Sequence, residues 1–329
     1  MEFTELIDLA SEKLGGAVLF ANDDFFAPKE NLLKASAPVF IEGKYTDRGK
    51  WMDGWESRRR RTPGFDWCII RLGLPGIIRG VVVDTSYFRG NYPEHCSLEG
   101  AAFNGLPTLE ELTDEEVQWV PLLPQMPLAG DSQNPFPIHY EERSTHLRFK
   151  IYPDGGVARL RVYGTVSPDW DRLKRRGGAI DLAAVENGAL VVSCSDMFFG
   201  HRHNLIMPGR AANMSDGWET KRRRGPGHDW AIIKLGRPGT IHSVEVDTSH
   251  FKGNFPESCS LEAYNGTDVD LTDLSVPWTS LLPRTKLQAH TRHWFDQELI
   301  DTGVASHLRF NIYPDGGVSR LRVYGKLVE

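Results

Sequence analysis

No stretch of this sequence approaches the ~20 consecutive apolar residues that a membrane-spanning helix needs. Its beginning, MEFTELIDLASEKLGG, lacks the basic start and apolar run of a secretion signal, so a cytoplasmic chain with no membrane partner is expected. Positive charge is also in short supply. Lys and Arg number 38 against 44 Asp and Glu, a net charge of −6, and no long cationic tract breaks that balance, which argues against a nucleic-acid partner. Cysteine is scarce: Cys68, Cys96, Cys194 and Cys259 show no C-x-x-C spacing, and neither half holds a matched pair of its own. Free buried thiols in a reducing compartment are expected. What remains, 40% hydrophobic and 25% charged residues in 329, is the composition of an ordinary globular protein too long for one core, so two domains are expected.

The second feature is repetition. HLRFKIYPDGGVARLRVYG (146–164) returns as HLRFNIYPDGGVSRLRVYG (307–325), with only Lys150/Asn311 and Ala158/Ser319 different. DGWESRRRRTPGFDW (53–67) matches DGWETKRRRGPGHDW (216–230), and VDTSYFRGNYPEHCSLE (83–99) matches VDTSHFKGNFPESCSLE (246–262). Ile7 aligns with Ile180, so the first copy carries about ten extra residues between Asn31 and Asp53, around FIEGKYTDRGKW. A period this long means a duplicated domain, with copies over 1–170 and 171–329 joined near VSPDWDRLKRRGG (166–178). The start of the chain reads as a short amphipathic helix burying Leu6, Leu9 and Leu14.

Each copy reads as β. Leu147, Phe149 and Ile151 alternate with Arg148, Lys150 and Tyr152, and Leu160 and Val162 alternate with Arg159, Arg161 and Tyr163. Pro-Asp-Gly-Gly between these runs predicts the turn of a hairpin. WCIIRLG and GIIRGVVVDT read as two more strands separated by Leu-Pro-Gly. Many short strands with Gly/Pro turns predict a β-sandwich or jelly roll. The arginines of the hairpin, Arg148, Arg159, Arg161 and Arg309, Arg320, Arg322, would lie on a charged outer face. That face would dock on acidic surface such as EELTDEE (110–116), and a homo-oligomer is the resulting expectation.

The order DG…DW-x-I-I-x-LG-x-PG, V-x-V-D-T and R-L-R-V-Y-G resembles the discoidin-type, galactose-binding-like jelly roll. The blocks DGWE(S/T)(R/K)RRR, VDTS(Y/H)F(R/K)GN and IYPDGGV, present in both copies, are similar to the allantoicase family over nearly the whole chain. The resemblance implies an all-β protein of two tandem jelly rolls and a hydrolase of purine breakdown, converting allantoate to (S)-ureidoglycolate and urea. A tandem lectin-like module that binds without catalysis is the alternative from another class.

Allantoate is a carboxylate whose neighbouring carbon bears two ureido groups, so its cleavage needs cations for the carboxylate, an acid for the departing urea and a source of activated water. Glu56 and Glu219 are the leading candidates for acid/base work, followed by Asp53 and Asp216, for which an Asp-Gly turn is an equal reading. Trp55 and Trp218 flank them. Arginine forks bind carboxylates in bidentate fashion, which makes Arg58, Arg60 and Arg223 candidate substrate ligands. Because an extended segment alternates its faces, either Arg58 with Arg60 or Arg59 with Arg61 addresses one ligand. Asn91 and Asn254 sit in GN(Y/F)P, where turn and ligand roles compete. His228 stands where the first copy has Phe65, beside the acid/cation block, and is the candidate histidine base or ligand. A divalent metal ion would suit the chemistry. The His pairs in GHRHN and HTRH are weak signals for one without a third placed ligand.

Overall fold

The computed structural model describes residues 2–266, 271, 273 and 276–328. It divides into units Met1–Ser167 and Pro168–Glu329, each an all-β jelly-roll sandwich. A single 19-residue strand is the spine of each unit, Asp66–Asp84 in the first and Asp229–Asp247 in the second. Its first half pairs with Arg143–Tyr152 and Ala17–Ala21, and its second half with Arg159–Val166 and Gln133–Pro137. Leu-Pro-Gly therefore does not separate two strands. The chain runs through it with a shift of register, because Pro75 has no N–H to lose and its carbonyl accepts from the Ser167 N–H. Leu147, Phe149, Ile151, Leu160 and Val162 are fully buried, as the alternation predicts.

The repeated segment is not a hairpin. Arg143–Tyr152 and Arg159–Val166 each pair with their own half of the long strand and not with each other. The loop between them is spread open by other partners. Gly156–Val157 pairs with Trp55–Glu56, the Gly156 N–H donates to the Asn91 carbonyl, and the Ala158 N–H donates to the Asp84 carbonyl. Glycine at 156 is obligatory here, since a Cβ would lie 1.9 Å from the Phe88 ring. The second unit repeats this with Gly317–Val318 against Trp218–Glu219.

The N-terminal segment forms no amphipathic helix. It makes two short 3-10 turns, Phe3–Glu5 and Glu12–Leu14, around the strand Ile7–Asp8, which pairs with Tyr163 and Gly164; Leu9 and Leu14 are buried all the same. The four cysteines are free. Cys68 lies opposite Ala21 in the first unit, while in the second Cys194 lies opposite Ala231. One thiol and one methyl fill the same space from exchanged strands.

Each first strand is tied to the last by an aspartate: Asp8 Oδ1 accepts from the Val162 N–H at 2.9 Å, and Asp181 Oδ1 from the Val323 N–H at 2.9 Å. Burial pushes the Asp181 carboxyl up to about 6 from an ordinary 3.8, a rise that the Val323 N–H and the Arg322 charge only partly oppose. The folded chain thus holds a proton on Asp181 more tightly than the unfolded chain. The stability this confers is full below about pH 4 and is lost as pH rises to about 6. Asp181→Asn keeps the acceptor oxygen without the ionisation. Its Tm relative to the parent is expected to climb between about pH 4 and pH 6 and then level off. Thermal melts across that range check this, and a flat difference contradicts it.

Candidate active site

The Asp-Gly-Trp-Glu segment is held from three sides. The Glu56 N–H donates to the Ala27 carbonyl at 3.1 Å, and its own carbonyl accepts from the Phe26 N–H at 3.1 Å. Its other edge pairs with Gly156 of the crossover loop. Fixed in this way, the Glu56 side chain is half-buried and accepts a hydrogen bond from Asn91 Nδ2 at 2.6 Å. Burial raises the Glu56 carboxyl above the usual range, and the Asn91 amide offsets only part of that. Asn91 serves the turn as well, because its backbone carbonyl accepts from the Gly156 N–H. In the second unit Asn254 Nδ2 likewise donates to Glu219 Oε1. The two proposed acids and the two asparagines are therefore brought together, once per repeat.

Trp55 and Trp218 take a different place. Both are fully buried, with their indole N–H groups on the Asp23 and Asp196 carbonyls, so they anchor the segment from below and offer no face to a ligand. Asp53 is also spoken for. Arg159 Nη2 reaches its Oδ2 at 2.6 Å, and Lys34 Nζ its Oδ1 at 3.1 Å. Burial would raise the Asp53 carboxyl, but the bonds from Arg159, Lys34 and the Val39 N–H outweigh it and hold the group below the ordinary range. Arg320 Nη2 binds Asp216 Oδ2 at 3.0 Å in the matching place. Neither aspartate is a free base.

The arginine run alternates in its ion pairing: the candidates Arg58, Arg60 and Arg223 all hold aspartates, although Arg223 also lines the cleft around Glu219. Arg58 binds Asp23 at 2.6 Å and Arg60 binds the buried Asp66 at 2.6 Å, while Lys221 pairs with Asp196 and Arg223 with Asp229. Asp154 and Asp315 of the Pro-Asp-Gly-Gly loop accept from the Arg60 and Arg223 N–H groups and fix the run against the loop. The intervening Arg59, Arg61, Arg222 and Arg224 are exposed and make no ion pair among the described residues. These are the cations of the run that remain for a ligand.

Around Glu219 the arrangement opens into a cleft of ≈ 720 Å³ lined by Phe199, Glu219, Arg222, Asn254, Glu257 and Lys286, among others. His228 does not line it. That ring lies on Tyr313, with centroids 4.7 Å apart, and its Nε2 meets Asn311 Oδ1 at 3.2 Å. His201 and His293 accept the N–H groups of His203 and Gln288, and no group of three or more His, Cys, Asp or Glu among the described residues is arranged to hold a metal ion. Sequence reasoning left Arg222 as one of two open choices and missed Glu257 and Lys286. The unequal charge of PLLPQMP (121–127) and SLLPRTK (280–286) was the available signal, and it lay outside the conspicuous blocks.

The hairpin arginines are corrected as well. Arg159, Arg320 and Arg322 are buried, and Arg161 is largely so, with its guanidinium directed at Asp8 and the Ala35 carbonyl. They form internal ties and no outer face, so they provide no docking surface for EELTDEE, part of which forms the helix Leu109–Thr113. Arg148 and Arg309 do lie toward solvent, paired with Glu99 and Glu262.

Comparison with known proteins agrees with this architecture. The family described as "Allantoicase repeat" matches residues 7–167 and again 180–328. A protein of Burkholderia mallei named "Probable allantoicase 1" is 50% identical over 331 residues, spanning 99% of this chain and 96% of its own. "Allantoicase" of Dictyostelium discoideum is 50% identical over 323 residues, spanning 97% of this chain and 87% of its own. The crystal structure of an allantoicase from Saccharomyces cerevisiae superposes with a TM-score of 0.83 at 37% identity, covering 97% of this chain and 93% of that one.

Proposed function

The chain belongs to the allantoicase family, and we propose that its Glu56 and Glu219 sites are where it hydrolyses allantoate to ureidoglycolate and urea. The observation that carries this reading is the repeated Glu–Asn pair on a segment locked from three sides, with an unpaired arginine three residues further along, Arg59 or Arg222. The half-buried Glu56 carboxyl, with its raised proton affinity, suits a general acid. The C–N bond at the central carbon breaks, its electron pair leaves with the ureido nitrogen, and the glutamic acid supplies the proton that completes urea. The remaining ureido nitrogen supports the electron-poor carbon until water adds, and the glutamate takes back the proton that the water releases. Arg59 and Arg222 are the forks suited to the substrate carboxylate, in place of Arg58, Arg60 and Arg223. Asn91 and Asn254 hold their glutamates through Nδ2, which leaves each Oδ1 to accept from a ureido N–H. The comparisons do not favour the non-catalytic binding module.

Two further readings complete the proposal. Four free thiols, and no helix long and apolar enough to cross a membrane, suit a cytoplasmic enzyme. Self-association is supported by an apolar cluster beside the Glu219 cleft, Met197, Phe198, Phe199 and Met214, with the two phenylalanines 70% and 61% exposed. Light scattering of the purified chain should give a mass of at least two copies; a monomer mass contradicts this.

Glu56→Gln together with Glu219→Gln should lower urea release from allantoate by about 10²–10⁴-fold with the melting profile unchanged, because the amide keeps the shape and loses the proton. Each single variant should keep a part of the activity. Full turnover in the double variant would show that the chemistry lies elsewhere.

A further inference from the structure

The two sites share their Glu, Asn and Arg but differ at one corner. In the second unit the strand Thr279–Lys286 pairs with Ser258–Tyr264, which sets Lys286 opposite Ser258 at the rim of the cleft. In the first unit the same register sets Pro127 opposite His95. Two residues earlier, Arg284 of the second unit stands where the first has Gln125. The corner of the second site thus carries two formal positive charges that the first lacks.

The two charges have different employment. Arg284 is engaged: its Nε donates to Ser258 Oγ at 2.7 Å, its Nη2 meets Glu257 Oε2 at 3.1 Å, and its guanidinium lies 4.1 Å from the Tyr313 ring centroid. Glu257 is occupied as well, accepting from both Ser258 and Arg284. Lys286 makes no hydrogen bond or ion pair among the described residues, its charge reaching Glu257 only through space, yet it lines the same cleft as Glu219 and Arg222. An ammonium and a guanidinium that make no ion pair, lining one cleft together with the Glu219 acid, form a receptor for a small anion whose leaving group must be protonated.

We infer that Lys286 is the second cation, with Arg222, of a carboxylate clamp facing Glu219, and that this clamp confines tight binding of the anionic substrate to the second repeat. This rests on the reading of Glu219 as a site of hydrolysis. The first repeat, with Pro127 in that register, holds the carboxylate by Arg59 alone and works at higher substrate concentration. Lys286 is therefore a specificity residue for the charge of the substrate and not a proton donor.

The test uses the full-length chain with Glu56→Gln, which leaves the second site to act by itself. Adding Lys286→Gln is expected to raise KM for allantoate about tenfold or more while kcat falls much less, and Lys286→Arg is expected to restore KM. Ureidoacetate, which carries the carboxylate, should inhibit the Gln variant correspondingly less well. Its neutral amide should inhibit both chains equally, an outcome that mere misfolding would not produce. An unchanged KM in the Lys286→Gln variant, or an Glu56→Gln chain with no turnover, overturns the clamp. Full turnover in the Glu56→Gln/Glu219→Gln chain would instead remove the site reading on which it rests.

Discussion

A buried guanidinium holds this fold and its site together. Arg159 is 1% exposed and donates to the Asp53 carboxylate, to the Asp53 and Ala158 carbonyls, and to the Ser36 and Ala37 carbonyls. Only a planar fork with five N–H groups can serve so many acceptors at once. Lys34 shares the Asp53 carboxylate, but the Arg159 charge has its ion pair there, and leaving it alone inside the protein costs about 3–5 kcal/mol, so the closing strand and the Asp-Gly-Trp-Glu segment are obliged to meet. Glu56 lies three residues beyond Asp53 and is aimed by this constraint, with Gly156 on one edge and Ala27 on the other. Arg320 and Asp216 repeat the device for Glu219.

Duplication explains why the device occurs twice, and divergence shows which parts it leaves free. The Arg–Asp tie, the Glu–Asn pair and the Asp that caps the arginine run are the same in both units. The surroundings have drifted. Between Asn31 and Asp53 the first unit has an extra loop whose Arg48 donates to the Phe25 carbonyl and lies 5.0 Å from its ring. The second unit has no such loop and leaves Phe198 and Phe199 open to solvent. At the opposite corner Lys286 and Arg284 replace Pro127 and Gln125. If both glutamate sites act as proposed, equal machinery in unequal electrostatic settings permits two substrate affinities in one chain.

Much of this was legible in the sequence. Period-two alternation at Leu147, Phe149 and Ile151 identified buried strand faces, and the repeated blocks pointed to two copies and to Glu56 and Glu219 as candidates. Alternation cannot say what a strand pairs with, and there the reading failed: Pro-Asp-Gly-Gly has the residues of a hairpin turn, but partners far away in sequence, Trp55, Glu56 and Asn91, pull it open. The arginines misled for a related reason. A polar residue in an alternating strand is ordinarily solvent-facing, and only the distant aspartates at 53 and 216 make burial of Arg159 and Arg320 tolerable. The parity of the arginine run was foreseen as a choice between two pairs; which pair is free depends on Asp23 and Asp66, which no local pattern connects to it.

The most direct test of the constraint is a double-mutant cycle between Arg159 and Asp53, made in a chain whose second site is silenced by Glu219→Gln. Stability and urea release would both be measured for Arg159→Met, Asp53→Asn and the two combined. If the buried pair aims Glu56, Arg159→Met loses about 3–5 kcal/mol and most of the remaining turnover, and adding Asp53→Asn returns part of the stability by removing a buried charge left with only Lys34 and the Val39 N–H, so that the two substitutions are coupled by about 1 kcal/mol or more. Additive stability effects with turnover untouched would contradict the account.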